Sequence, residues 1–343
     1  MLTQDNYTPP FTDAAGDVIE GSIAEIKTLT LGDVTQAVII RGISVENPVL
    51  LFLHGGPGTS EFKLLRDHCP QLEELFTIAH WEQRGSGLSY HETIDPQTMT
   101  IAQLVEDAAE LARYLKERFQ QDQIYLMGHS WGTKLGVALA HQYPELFRAY
   151  IGFGQVGDQL RSEQVGYDWL ISQMREAGDQ ENLDAFSAIP RPSAEVLVTT
   201  EDWLKYMSAH RPLCQKYGGG TTRFEEFDTE KVIKLYNETP EYGVDGFEDS
   251  VLPGLNFSLQ HLVSRFFNVT DVAPPTRFEL PMYMMNGVYD YQTSHQTAYE
   301  YFESVQAPRK RFISFENSAH TPFYDEPELF MQAVREILAE LES

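Results

Sequence analysis

The chain is short of cysteine, of positive charge and of long apolar runs. Cys69 and Cys214 are its two cysteines in 343 residues. Neither has metal-ligand spacing, so a disulfide scaffold and a cysteine zinc site are excluded. Two thiols suit a reduced compartment, where one disulfide is allowed but not required. Lysine and arginine number 25 against 51 acids, a net charge of −26. Such a surface repels nucleic acid and anionic membranes, because binding to either depends on neutralising phosphates. It favours cationic substrates weakly, and it equally serves solubility. No stretch approaches the roughly 18 consecutive apolar residues of a membrane span. The opening "MLTQDNYTPPFTDAAG" lacks the basic and apolar regions of a secretory leader. A cytoplasmic protein with no nucleic-acid or membrane partner is expected, its oligomeric state open.

Apolar runs and glycine-rich turns alternate along the chain. Residues 22–31 and 34–41 are β-rich and joined by Gly32-Asp33, which reads as a hairpin. "PVLLFLHGGPG" is a buried strand feeding a tight loop, and "FTIAHWEQRGSG" repeats the design. Residues 60–75 carry a helical pattern. In "TIAQLVEDAAELARYLKERF", Ile101, Leu104, Val105, Ala108, Leu111, Leu115 and Phe119 share one helical face, and Thr100 is placed to cap it. Strand, helix and strand follow in "QIYLMGHS", "WGTKLGVALAHQYP" and "FRAYIGFG". This rhythm predicts an α/β fold with a mostly parallel central sheet and helices on both faces. From about residue 159 to 275 the alternation stops and helical segments dominate. It resumes at "LPMYMMNGVYD", with a helix at about 293–306 and a last one from about 326 to 341. The expected organisation is a core of residues 1–158 and 276–343 with a mainly helical lid, 159–275, inserted after the sixth strand. The lid holds 19 acidic and 10 basic residues, a net −9 against −17 over the rest, about twice the length, so the net charge is spread evenly.

One short stretch carries chemistry. Gly128-His129-Ser130-Trp131-Gly132 fits G-x-S-x-G, in which a strained strand-to-helix turn lifts a serine hydroxyl clear of the sheet. Such a serine needs a base to take its proton, a carboxylate to orient that base, and N–H donors for the oxyanion. The Trp131 N–H is one candidate donor, and the loop His54-Gly55-Gly56-Pro57-Gly58 offers another. Asp290 follows an apolar strand on a glycine-containing turn, where it serves either as the carboxylate or as an ordinary helix-start aspartate. Of ten histidines, His320 in "FISFENSAHTPFYDEP" lies between the last strand and the last helix. The order Ser130, Asp290, His320 is the one expected of an α/β-hydrolase. The sequence shows no dinucleotide fingerprint, phosphate loop or metal-spaced cluster, so no cofactor or metal is expected.

These residues resemble a known branch. "HGGPG" at 54–58, "EQRGSGLS" at 82–89, "GHSWGT" at 128–133, Asp290 in "GVYD" and His320 in "SAH" are similar to the proline iminopeptidase branch of the α/β-hydrolases. The resemblance covers roughly residues 20–158 and 277–343. It implies a cytoplasmic, metal-free serine hydrolase that removes an N-terminal residue, typically proline, from short peptides. It also implies Ser130 as nucleophile, His320 as general base and acid, Asp290 as its carboxylate, and Trp131, Gly56 and Gly55 at the oxyanion positions. The branch recognises a free amine with glutamates. Here Tyr291 follows Asp290, and Glu82 replaces the branch's aspartate. Glu201, Glu225, Glu226, Glu241 and Glu248 are lid acids that either bind such an amine or are solvated surface charges. Two alternatives stay open: a carboxylesterase or amidase for a neutral small molecule, and a non-catalytic binding protein on this scaffold.

Overall fold

The computed structural model describes residues 6–224, 229–267 and 274–342. Eight strands form one sheet: β1 (Ile23–Leu31), β2 (Val34–Gly42), β3 (Val49–Leu53), β4 (Thr77–Trp81), β5 (Ile124–His129), β6 (Phe147–Phe153), β7 (Met282–Gly287) and β8 (Lys310–Phe315). Their order is β1-β2-β4-β3-β5-β6-β7-β8. From β4 to β8 neighbours run parallel, while β2 pairs antiparallel with both β1 and β4. The expected hairpin turns on Gly32 and Asp33, both at positive φ, as a two-residue hairpin turn demands. The runs VLLFL, TIAHW, IYLMGH and MYMMNG are buried throughout. Unbroken apolar strands fit only a sheet covered on both faces.

The helices supply that cover. They are α1 (Phe62–His68), α2 (Leu72–Leu75), α3 (Ile101–Arg118), α4 (Trp131–Gln142), α5 (Gln159–Ala177), α6 (Gln180–Ser187), α7 (Thr200–Lys216), α8 (Thr229–Asn237), α9 (Leu252–Phe267), α10 (His295–Ser304), α11 (Pro322–Asp325) and α12 (Pro327–Glu342). On one face Leu104, Leu111 and Leu115 of α3 pack with Leu135 of α4 and Phe302 of α10. On the other Leu65 of α1 packs with Phe330, Val334 and Ile337 of α12. Each such leucine, fully buried, contributes roughly 1.5–3 kcal/mol. The Thr100 side chain accepts the Gln103 N–H and caps α3 as expected. Residues 60–75 split into α1 and α2 rather than one helix, because Pro70 between them has no N–H to continue the ladder.

Between β6 and β7 lie α5 to α9, with no strand among the described residues. This insert grips the core through small residues. A β-carbon on Gly58 would stand 2.6 Å from the Ser258 β-carbon of α9, and one on Gly254 would stand 2.5 Å from the Gly87 nitrogen. Among the described residues no helix is long and apolar enough to cross a membrane.

Candidate active site

Ser130 sits between the end of β5 and the start of α4 at φ 51°, ψ −121°. For a residue with a β-carbon this conformation costs on the order of 1–3 kcal/mol and persists only when its surroundings impose it. Here the Ser130 N–H donates to the Phe153 carbonyl at 3.1 Å, and the Ser130 carbonyl accepts from both N–H and Oγ1 of Thr133. The flanking glycines are required by close approach. A β-carbon on Gly132 would lie 2.1 Å from the Leu53 carbonyl oxygen, and one on Gly128 would lie 2.9 Å from the Gly132 oxygen.

Asp290 follows β7 and His320 follows β8, so the three residues stand at the carboxyl ends of parallel strands, where ligand sites of open α/β sheets form. The His320 Nδ1–H donates to Asp290 Oδ2 at 2.8 Å. The same oxygen accepts the Thr293 hydroxyl at 2.8 Å, while Oδ1 accepts the N–H groups of Gln292 and Thr293, each at 2.9 Å. Burial alone would raise the Asp290 pKa, but the His320 ring and these hydrogen bonds outweigh it and hold the carboxyl below its ordinary range. With Nδ1 committed, the other ring nitrogen of His320 is left to exchange a proton. His320 and Ser130 are both nearly buried, at 6% and 9% exposure.

The glycine loop after β3 is braced from behind. The Gln83 side chain donates to the His54 carbonyl at 2.9 Å and accepts the Trp131 indole N–H at 2.9 Å. His54 Nε2 accepts the Gln83 backbone N–H at 3.2 Å and Nδ1 lies 2.8 Å from the Gly55 carbonyl, and burial depresses the ring's basicity. The peptide bond between Gly56 and Pro57 is cis, and Gly56 takes a φ of 108°. One expected oxyanion donor is corrected here. The Gly55 N–H is committed to Glu61, whose two oxygens stand 3.0 and 3.1 Å away. The N–H groups of Gly56 and Trp131 carry no hydrogen bond among the described residues, and Trp131 heads α4, where helix N–H groups are unpaired and the helix dipole favours negative charge.

Among the described residues, Glu201, Glu241 and Glu248 make no hydrogen bond to Ser130, Asp290 or His320. Glu241 is buried, ion-paired with Arg66 at 2.5 Å and bonded to the Thr8 hydroxyl at 2.6 Å. It ties the insert to α1 and the N-terminal segment, which corrects its reading as a substrate ligand. Glu201 and Glu248 are exposed, and Glu248 accepts from Asn237. Glu225 and Glu226 lie outside the described residues. Glu82, the departure from the branch motif, is fully buried. It accepts the Leu88 N–H at 3.2 Å and the Tyr242 hydroxyl of the insert at 2.9 Å, and burial pushes its pKa up to about 7.

Sequence reasoning missed two contributors. Glu61, three residues past Gly58, belongs to none of the motifs. The stretch "KYGGGTTR" carries no motif, yet its Gly219 and Gly220 carbonyls accept the N–H groups of Tyr291 and His320 at 3.1 and 3.2 Å. Its glycines were the signal: a β-carbon on Gly219 would stand 2.6 Å from the Trp169 ring.

The sequence profile of the alpha/beta hydrolase fold matches residues 48–327. The chain belongs to the α/β-hydrolase fold family. This α/β-hydrolase is 33% identical over 311 residues to the "Probable aminopeptidase YbaC" of Bacillus subtilis, covering 90% of this chain and 94% of that one. It is 24% identical over 305 residues to the proline iminopeptidase of Heyndrickxia coagulans, covering 85% and 90%. Among solved structures it resembles the proline iminopeptidase of Mycobacterium smegmatis, with a TM-score of 0.63 at 17% identity over 92% of this chain and 98% of that one. A proline iminopeptidase-related protein from Thermus thermophilus gives a TM-score of 0.59 at 23% identity, covering 93% and 98%. The resemblance to the proline iminopeptidase branch read from the motifs is thus matched by relatives over most of the chain, insert included.

Proposed function

We propose that this α/β-hydrolase is a serine aminopeptidase that releases an N-terminal residue from short peptides. The observations that carry the chemistry are the Asp290–His320 pair at 2.8 Å and a serine strained onto an elbow, all three at the carboxyl ends of the parallel strands. Ser130 Oγ attacks the carbonyl carbon of the first residue while His320 Nε2 takes the hydroxyl proton. The carbonyl π pair moves to oxygen, where the N–H groups of Gly56 and Trp131 stabilise it, each worth roughly 3–4 kcal/mol by analogy with measured oxyanion donors. Collapse breaks the C–N bond, and His320 gives its proton to the leaving amine. A water molecule then attacks the acyl-enzyme through the same histidine and restores the Ser130 hydroxyl. Asp290 stays ionised throughout and fixes the ring's tautomer and direction.

The peptide substrate rests on the aminopeptidase and proline iminopeptidase relatives. The insert, residues 159–275, acts as a lid over a core of residues 1–158 and 276–343. A carboxylesterase or amidase for a neutral small molecule is the second reading. It is favoured by one observation: Glu241 is already paired with Arg66 while Glu201 and Glu248 face solvent. Hydrolysis of prolyl and alanyl anilides, their N-acetylated forms and a short-chain ester separates the two, with Ser130→Ala as blank. Turnover of free-amine anilides that is lost on acetylation is expected. Turnover of the ester alone would overturn the peptidase reading and leave the esterase.

A further inference from the structure

Behind the nucleophile lies a second carboxylate–imidazole pair that the proposed chemistry does not use. Glu61 Oε1 stands 2.6 Å from His129 Nδ1, and the two side chains are 12% and 4% exposed. His129 is the residue before Ser130. Its other ring nitrogen faces the His320 carbonyl oxygen at 3.3 Å. The ring is stacked on Phe153 at 4.7 Å and lies 4.8 Å from the His320 ring, so it has little freedom to turn. Glu61 stands at the cap position of α1, but its side chain makes no cap bond there. Instead both carboxylate oxygens turn to the Gly55 N–H. A β-carbon on Gly55 would lie 2.4 Å from Glu61 Oε1 and 3.2 Å from the Ser130 β-carbon, which places the carboxylate directly behind the elbow.

One carboxylate and one imidazole therefore join three loops: the glycine loop after β3, the elbow after β5 and the histidine loop after β8. A buried carboxylate beside a developing oxyanion would oppose the reaction if it were unpaired and free to move. Here it is paired, and its hydrogen-bonding capacity is spent on the loop. The Gly55 carbonyl shares one peptide plane with the Gly56 N–H and lies 2.8 Å from His54 Nδ1, so with the Gly55 N–H held by Glu61 both ends of Gly55 are fixed and the direction of the Gly56 N–H is restricted.

We propose that Glu61 is a positioning residue for the oxyanion site: it holds the Gly55 N–H so that the Gly56 N–H faces the reacting carbonyl, and through His129 it steadies the backbone that carries His320. The inference rests on the serine-hydrolase reading above, and the test separates the two. The probe is a fluorophosphonate, which reacts with an activated serine whatever the natural substrate. Its second-order labelling rate is measured for the wild type, Ser130→Ala, Glu61→Ala, Glu61→Gln and Glu61→Asp, each confirmed folded by circular dichroism and thermal melting. Wild-type labelling that is absent in Ser130→Ala is expected. Labelling of folded Glu61→Ala is expected to slow by roughly 10- to 100-fold, the scale of a misplaced reacting geometry. Glu61→Gln is expected to recover most of that loss, because its amide oxygen still accepts the Gly55 N–H. A purely structural role would lower the melting point without this rescue of per-site reactivity. Folded Glu61→Ala labelling at the wild-type rate would overturn the inference, as would Glu61→Gln as slow as Glu61→Ala. If Glu61→Ala does not fold, Glu61→Asp, one methylene short of Gly55, decides: slowed labelling supports the inference and a wild-type rate overturns it. A wild type that does not label at all would overturn the serine-hydrolase reading itself.

Discussion

The His320 N–H donates to the Gly220 carbonyl at 3.2 Å, so the insert is bonded to the backbone of the candidate base. The adjacent Gly219 carbonyl accepts the Tyr291 N–H, one residue past Asp290. The Thr321 hydroxyl donates to the Thr221 carbonyl at 2.7 Å. An insert joined this way cannot lift off as a rigid body without disturbing the acid and the base together. Movement that admits substrate is then expected in other parts of the insert.

The loop itself hangs on Gln215, whose side-chain oxygen accepts the Thr221 N–H at 2.7 Å and whose amide donates to the Thr222 carbonyl at 3.0 Å. Gln215→Ala should cost about 1–2 kcal/mol locally. Hydrogen–deuterium exchange should then quicken in peptides covering 216–223, 289–293 and 318–321, and turnover should fall. Unchanged exchange in the last two segments would show that the loop does not support the site.

Asp290 accepts four hydrogen bonds and His320 has no other carboxylate partner among the described residues. Asp290→Asn should therefore lower kcat by a factor on the order of 10⁴ while leaving the fold intact, because the ring loses its fixed tautomer. Ser130→Ala should abolish acyl-enzyme formation, as read by intact-protein mass spectrometry after rapid quenching.

Glu82 predicts a pH dependence of stability. Its folded pKa of about 7 lies above its ordinary value of 4.5. Below 4.5 both folded and unfolded states hold the proton, and between 4.5 and about 7 only the folded state does. The unfolded state binds fewer protons across that window, so this group's contribution makes stability fall as pH rises through it and level off above. The span amounts to roughly 3 kcal/mol as an order of magnitude. Glu82→Gln should remove that slope while keeping an acceptor for Tyr242. Urea midpoints at pH 5 and pH 8, compared between variant and wild type, check it; an identical difference in both would refute the assignment.

Gly132 has no room to vary. An added β-carbon would stand 2.1 Å from one backbone oxygen and 2.7 Å from another. Gly132→Ala should destabilise by about 1–3 kcal/mol or more, the cost of overpacking against atoms that cannot give way. It should also lower turnover, since α4 must shift and carry the Trp131 N–H with it. A melting curve beside a rate measurement tests both.

Much of this molecule was legible in its order of residues. Apolar runs without alternation marked β3 to β7 as covered on both faces, and Thr100 marked the start of α3. The elbow was readable because glycine at 128 and 132 leaves a chemical trace of backbones in close contact. Asp290 and His320 were readable because each ends a strand, and strand ends in a parallel sheet share one edge. These are local facts, set by neighbours in sequence and by period. What only the tertiary structure decided is who satisfies whom across the chain. It assigned Glu241 to Arg66, 175 positions away, and the Gly55 N–H to Glu61 rather than to a substrate. It set Gly220 against His320, 100 positions later. A carboxylate or a carbonyl looks the same in sequence whether it is solvated, ion-paired or placed behind a nucleophile. Its role follows from desolvation and from the one donor that folding brings within 3 Å or so, and no local pattern encodes that meeting.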